Sequence, residues 1–367
     1  MTSSRKKLGI GLIGLGRLGR VYARDLASRI PETRLVAIAD PDPKARAEVA
    51  AEHDVTAVFA EPEQLLEAPG IDAFVIVGPT HTHRGHVVAA AARGLPIFCE
   101  KPPALTLAET REMKQAVEKA GVFFQMGFMR RFDAGYAAAK KRVEAGEIGT
   151  PVVFKSSSRD PHRTTLEYAN PKSSGGMILD MGIHDFDLAR FFMGEVQSVQ
   201  TMAGTLAYPE LKTVGDLDNA VVTLEFADGR LGVVDLSRNG IYGYDISTEL
   251  LGTAGTLRIG YLRETPLLVM TQNSVAHDTV PYFMERFAGA YTTQLRNFAQ
   301  NVLEGRKAPV TIDDGIAALR IAIAAHRDAR DGRAGPRGRG DGIGVRPGPQ
   351  APPSSARYSR AARVWSS

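Results

Sequence analysis

The chain has 367 residues, more than one ordinary domain holds, so two domains are the starting expectation. Hydrophobic residues make up 44% and charged residues 23%, the balance of an ordinary soluble globular protein rather than a disordered or fibrous one. The formal net charge of +4 suggests a nucleic-acid partner only until it is located: residues 331–367 carry seven Arg against two Asp, and the rest of the chain is close to neutral. That stretch also holds seven Gly and five Pro, too little apolar surface to offset its ordering entropy. It is expected to be a disordered basic tail, with no nucleic-acid partner. The single cysteine, Cys99, excludes an internal disulfide and fits the reducing cytoplasm. No stretch approaches the roughly 18 apolar residues that cross a membrane. The basic start, Met1 to Lys7, runs straight into a strand without the separate apolar region of a leader.

From residue 6 to 128 short apolar runs alternate with helical spacing. Leu8–Ile13, Leu35–Ala39, Ala73–Val77, Pro96–Cys99 and Val122–Met126 read as buried parallel strands. Leu18–Ser28, Pro43–Glu52, Thr82–Arg93 and Thr106–Ala120 read as the helices between them, with Thr82 a reasonable cap. This alternation predicts an α/β unit, a Rossmann doubly wound parallel sheet. Beyond it the texture changes. Helix Ala134–Ala145, strand Val152–Ser158 and one long helix over Gly176–Met193 come first. Strands Ala220–Phe226, Leu231–Leu236, Ile246–Leu251 and Thr256–Ile259 follow in hairpin pairs, and helices near Glu285–Glu304 and Asp313–Arg330 close the region. Residues 129–330 are therefore expected to form an α+β domain with a mostly antiparallel sheet.

Gly14-Leu15-Gly16-Arg17-Leu18-Gly19 directly follows the first strand and opens the first helix. Gly14 allows the turn, Gly16 lets the backbone approach a pyrophosphate, and Gly19 lets helix pack close to strand. The second strand ends in Asp40, where a carboxylate accepts from ribose hydroxyls and repels a 2′-phosphate, and Pro41 and Asp42 offer no cation to hold one. The expected cofactor is NAD. Pro79, Thr80 and His83, at the carboxyl end of another strand, join the expected cofactor site. His81, His83 and His86 have no thiolate or second ligand cluster near them, so no metal is expected.

Glu100 and Lys101 end the next strand at the same sheet edge, where a lysine can reach the nicotinamide and bond a substrate hydroxyl; a surface lysine is the plainer alternative. On a continuous helix Asp180 and His184 are four residues apart on one face. An imidazole oriented by a carboxylate suits removal of a hydroxyl proton, and a structural pair within a core helix explains the same residues equally well.

The glycine turn, Glu100-Lys101-Pro102 and the Asp180/His184 segment together resemble the Gfo/Idh/MocA oxidoreductases, over roughly residues 6–330. Gly127–Asp133, Tyr242–Ile246 and Arg286–Tyr291 make the chain look most like the inositol 2-dehydrogenases of that family. The glycine turn and Ser174-Gly175-Gly176 look more like the NAD-dependent scyllo-inositol branch than the myo-inositol branch. The resemblance implies a catalytic set of Lys101, Asp180 and His184, with His184 the base and Asp180 holding imidazole and substrate. It places Arg130, Asp160 and Tyr244 near a cyclic polyol. Ser158 and Asp160 depart from the His and Asn of related enzymes, which leaves the stereoisomer open. The family also implies that the open sheet of the second domain mediates a homo-oligomer, usually a tetramer. A pyranose dehydrogenase or reductase of the same family is the alternative activity, and a non-catalytic NAD-binding sensor a more distant one.

Overall fold

Leu8–Ile13 is buried on both faces and forms β1, inside a six-stranded parallel sheet. The computed structural model describes residues 7–331 and the pair 344–345. In chain order β1 is followed by α1 (Arg17–Arg24), β2 (Thr33–Ala39), α2 (Pro43–His53), β3 (Ala57–Phe59), α3 (Pro62–Leu66) and β4 (Ala73–Ile76). Then come α4 (Thr80–Ala92), β5 (Ile97–Glu100), α5 (Leu107–Ala120) and β6 (Phe124–Gly127). The strand order β3-β2-β1-β4-β5-β6 reverses direction between β1 and β4, so a crevice opens at the carboxyl ends of those two strands.

Local chemistry explains the boundaries. α2 starts on Asp42, whose side chain accepts from Lys44 N, with Pro43 in the first turn. α5 starts on a reciprocal Thr106/Glu109 capping box and stops at Gly121, whose φ is 63°. Thr82 is not the cap expected of it. Pro79 takes that position, the helix begins two residues earlier, and the Thr82 hydroxyl donates to the Pro79 carbonyl at 2.8 Å. β3 and α3 were not anticipated; β3 is three half-buried residues, too short to show a period.

The second sheet is built later in the chain. α6 (Ala134–Glu144) leads into β7 (Pro151–Arg159), followed by the short helices α7 (Leu166–Ala169), α8 (Pro171–Ser174) and α9 (Met177–Asp180). Next are α10 (Gly182–Met193), β8 (Val196–Gly204), β9 (Asn219–Phe226), β10 (Leu231–Ser237), β11 (Asp245–Gly252) and β12 (Thr256–Ile259). A small hairpin, β13 (Val269–Met270) and β14 (Val275–Ala276), precedes α11 (Phe283–Arg286), α12 (Ala288–Leu303) and α13 (Ile312–Asp331). Gly344–Val345 forms β15. The order is β12-β11-β7-β10-β9-β8-β15, antiparallel except where β7 meets β10 and β15 meets β8. Along β9, Ala220, Val222, Leu224 and Phe226 are buried while Val221 and Thr223 are exposed, so the sheet is covered on one face and open on the other. Most of the tail expected to be disordered lies outside the described residues. Asp331 and Gly344–Val345 depart from that expectation by ending a helix and adding a strand.

Two expected helices are each broken. The single helix over Gly176–Met193 is α9 and α10 with Met181 between them, and the amide of His184 bonds back three residues, to the Met181 carbonyl at 3.3 Å. The helix near Glu285–Glu304 is α11 and α12, parted at Phe287. α12 then returns to the first sheet. Phe298 meets Phe98 and Phe123 at ring distances of 5.8 and 5.7 Å, Tyr291 meets Tyr22 at 6.0 Å, and Thr292 Oγ1 donates to Asp25 at 2.5 Å. Phe298 is fully buried at this seam, so Phe298→Ala is expected to lose about 3–5 kcal/mol of stability, read as a lower urea midpoint at unchanged slope.

Candidate active site

The glycine turn sits at the mouth of the crevice between β1 and β4. Gly14 adopts a φ of 98° and lies so close to the next strand that a Cβ would fall 2.7 Å from Gly78 N. A Cβ on Gly16 would meet nothing within 4 Å, which leaves its backbone open to a phosphate. Arg17 and Leu18 begin α1, whose first amides have no partner inside the helix and face the same mouth. Asp40 follows β2 beside the turn, accepting from Leu15 N at 2.6 Å and Asp42 N at 2.8 Å. This donor and acceptor set fits a dinucleotide. The nearest cation was missed by sequence reasoning: Arg46, one helix turn on, donates to the carbonyls of Asp40 and Pro41 at 2.6 and 3.0 Å.

Lys101, at the end of β5, reaches α9 of the other sheet. Its Nζ donates to the Asp180 carbonyl at 2.9 Å and to Asp180 Oδ1 at 3.2 Å. Tyr168 OH donates to the same Oδ1 at 3.0 Å, and Arg238 reaches Oδ2 at 3.4 Å. Burial alone would raise the Asp180 carboxyl, but Lys101 and Arg238 hold it below its ordinary value, so it is ionised. The Tyr168 hydroxyl is pushed well above the phenol range by Asp180 and then by burial, and so remains a donor.

His184 is buried in the same cluster, edge-on to Phe128, but no bond joins it to Asp180. The mutual pairing expected of these two residues is therefore corrected. Asp180 already has three other donors, and His184 Nδ1 is buried with no partner among the described residues. Burial, then the charges of Lys101 and Arg130, push the imidazole well below its ordinary value, so it is neutral and able to take a proton.

Asp160 and Tyr244 complete the polar surface. Burial lifts the Asp160 carboxyl to about 6 in spite of nearby Arg238. Tyr244 is buried and packs edge-on to Tyr282 and Phe287. Three expected ligand contacts have side chains committed to the protein instead. Arg130 bonds Asp185 at 2.8 Å and Ser158 at 3.1 Å. Glu100 takes the hydroxyl of Tyr22 and, at 3.2 Å, the amide of Gln294, while its other oxygen accepts from Lys101 N at 3.0 Å. His83 bridges the carbonyls of Pro102 and Gly78 at 2.8 and 2.9 Å, tying the β4 loop to the lysine turn. Pro79 is exposed at that loop, and Thr80 is buried in the first turn of α4. Among the described residues no group of His, Cys, Asp or Glu is arranged to hold a metal.

Tyr168 and Arg238 were not found by sequence reasoning. Tyr168 sits on a helix of four residues, which shows no period. Arg238 carried a usable signal, because it directly follows the strand Leu231–Ser237 and precedes an Asn-Gly turn.

Residues 8–128 match the family model described as the oxidoreductase family, NAD-binding Rossmann fold, and residues 140–336 match that family's C-terminal alpha/beta domain. Scyllo-inositol 2-dehydrogenase (NAD(+)) of Bacillus subtilis is 41% identical over 323 residues, covering 88% of this chain and 94% of that one. Myo-inositol 2-dehydrogenase of Thermotoga maritima is 38% identical over 326 residues, covering 88% and 97%. The solved structure of scyllo-inositol dehydrogenase from Lactobacillus casei with bound cofactor NAD(H) and scyllo-inositol gives a TM-score of 0.85 at 32% identity, covering 89% and 98%.

The two roles of the glycines separate experimentally. Gly16→Val puts its side chain into open space, so the chain should melt as before while dinucleotide affinity falls about 10²-fold, or ~2.7 kcal/mol, in a fluorescence titration. Gly19→Ala sets a Cβ 2.1 Å from the Gly14 carbonyl oxygen and should lower the melting temperature itself.

Proposed function

The chain belongs to the Gfo/Idh/MocA oxidoreductases, and we propose that it oxidises a cyclic polyol with NAD, scyllo-inositol before myo-inositol, to the corresponding ketoinositol. The observation that carries this reading is the meeting of Lys101, Asp180 and neutral His184 beside the edge of the parallel sheet where the dinucleotide turn opens. The relatives named above support the choice of substrate.

NAD, when bound, supplies the hydride acceptor. The chain's own residues handle the hydroxyl and its proton. Lys101 donates to the reacting oxygen and stabilises it as its proton leaves. His184 accepts that proton, so that the C–H hydride and the O–H proton depart together and a C=O bond forms. Asp180 holds the Lys101 ammonium in place. Asp160 and Tyr244 give the remaining hydroxyls an acceptor and a donor, the directional contacts that an all-hydroxyl substrate needs. Arg130 supports the site through Asp185 and Ser158. We place the enzyme in the cytoplasm, as a homotetramer joined through the open face of the second sheet.

The direct test is NADH absorbance with a panel of inositols and aldoses. Formation of NADH with scyllo-inositol is expected, and silence across the panel would sink the proposal. His184→Ala should lose about 10²–10⁴-fold in kcat while NAD affinity is retained. An equal loss of both would make His184 structural. The acidity of Asp160 adds a pH prediction. Because its pKa is raised to about 6, it takes a proton as pH falls through that value, so KM for the polyol should rise below pH 6. Asp160→Asn should abolish that dependence.

A further inference from the structure

We propose that Arg238 is a positioning residue of this reaction: set beside Asp160 and within reach of Asp180, its buried guanidinium is the counter-charge both carboxylates share. This rests on the reading that a polyol hydroxyl is oxidised at the site.

Sheet register makes the arrangement. β7 and β10 run parallel with Ser237 opposite Arg159, so the next residues, Asp160 and Arg238, leave the sheet side by side at one edge. Their backbones are fixed there, Asp160 N donating to the Ser237 carbonyl at 2.9 Å and Arg238 N to the Asp218 carbonyl at 2.8 Å. The same edge receives Asp180 from α9, a helix whose first amide, Met177 N, is held by Asp216 at 2.9 Å. Arg238 is 1% exposed, makes one long contact of 3.4 Å with Asp180, and keeps its Nε buried without a partner among the described residues. A guanidinium placed for directional bonding makes two short parallel contacts. This one acts mainly through its charge, in the field of Asp160, Asp180 and Asp216.

Other groups face the two carboxylates. Lys101, Tyr168, Tyr282 and Asp216 bear on Asp180, while Lys101, Arg130, Tyr244 and Tyr282 bear on Asp160, and the two carboxylates bear on each other. Without Arg238, Lys101 would carry most of the positive charge that the two carboxylates share, and like charges crowded in a buried site retain a proton. Arginine suits the place because a guanidinium keeps its charge on burial beside Lys101 and Arg130 at every working pH, whereas an ammonium there keeps it only toward the acid side.

The experiment is a pH profile of inositol oxidation by Arg238→Met, Arg238→Lys and the double variant Arg238→Met, Asp160→Asn. In Arg238→Met the acid limb of kcat/KM should move up by about one unit, with at least a tenfold loss at neutral pH carried mainly by KM. NAD affinity should stay within about threefold. Arg238→Lys should recover most of the loss at a pH where the new amine is charged, and the double variant should bring the acid limb back down. An unmoved limb in Arg238→Met would overturn the proposal, as would a lysine variant as poor as the methionine one. Variants that no longer bind NAD or melt cooperatively would overturn it too, by assigning Arg238 to the fold. A native chain inactive on every polyol would instead be a failure of the substrate reading, seen before any variant is made.

Discussion

Lys101 leaves the first sheet at the end of β5, Asp180 stands at the end of α9, and the two meet as an ion pair of 3.2 Å with little access to water. Taking such charges out of water costs several kcal/mol per ion, and their attraction offsets this only where further bonds complete the shell. Tyr168, Arg238 and the Asp180 carbonyl supply those bonds. The pair is a weak reason for the fold to be stable and a strong reason for it to hold one geometry. It fixes the second sheet against the first at the point where the dinucleotide crevice meets the polar pocket.

The surrounding ion pairs carry that constraint outward. Arg130 and Asp185 pair at 2.8 Å in the core, and Ser156 and Ser158 donate to the same carboxylate. The adjacent Arg131 binds Asp187 on α10 and Asp314 on α13. Neighbouring arginines thus tie the turn before α6 to both helices beneath the second sheet. On the other side, Glu100 is locked by Tyr22 of α1 and Gln294 of α12, so the backbone that presents Lys101 is held by elements 78 and 194 residues away. Removing Arg130 would leave the buried Asp185 carboxylate with hydroxyl donors alone, so that pair is kept or lost together.

What was legible in the sequence was local or periodic. β1, the glycine turn and Asp40 are read from one strand, one turn and the end of the next strand, and all three stand where they were expected. The apolar alternation of β9 and β10 gave the second sheet. β8 was missed because Ser198 and Thr201 occupy buried positions, so its pattern does not alternate by hydrophobicity. The pairing of Asp180 with His184 failed for a different reason. Four-residue spacing states which side chains can meet on a continuous helix; it does not state which competing donors arrive from elsewhere. Lys101 and Arg238 arrive from two other strands, 79 and 58 residues away in sequence, and Asp180 turns to them.

That turn leaves His184 as an imidazole that Asp180 does not bond, in the field of Lys101 and Arg130. Such a base is weaker than one oriented by an aspartate, and the efficiency of proton transfer depends on that basicity. In the mechanism we propose, the same feature makes its protonated form a stronger acid, ready to return a proton to a carbonyl oxygen that Lys101 polarises. Oxidation of the alcohol and reduction of the ketone then use one set of groups in opposite order. Geometry of this kind favours neither direction by itself, so the ratio of oxidised to reduced cofactor and the pH decide which way the reaction runs.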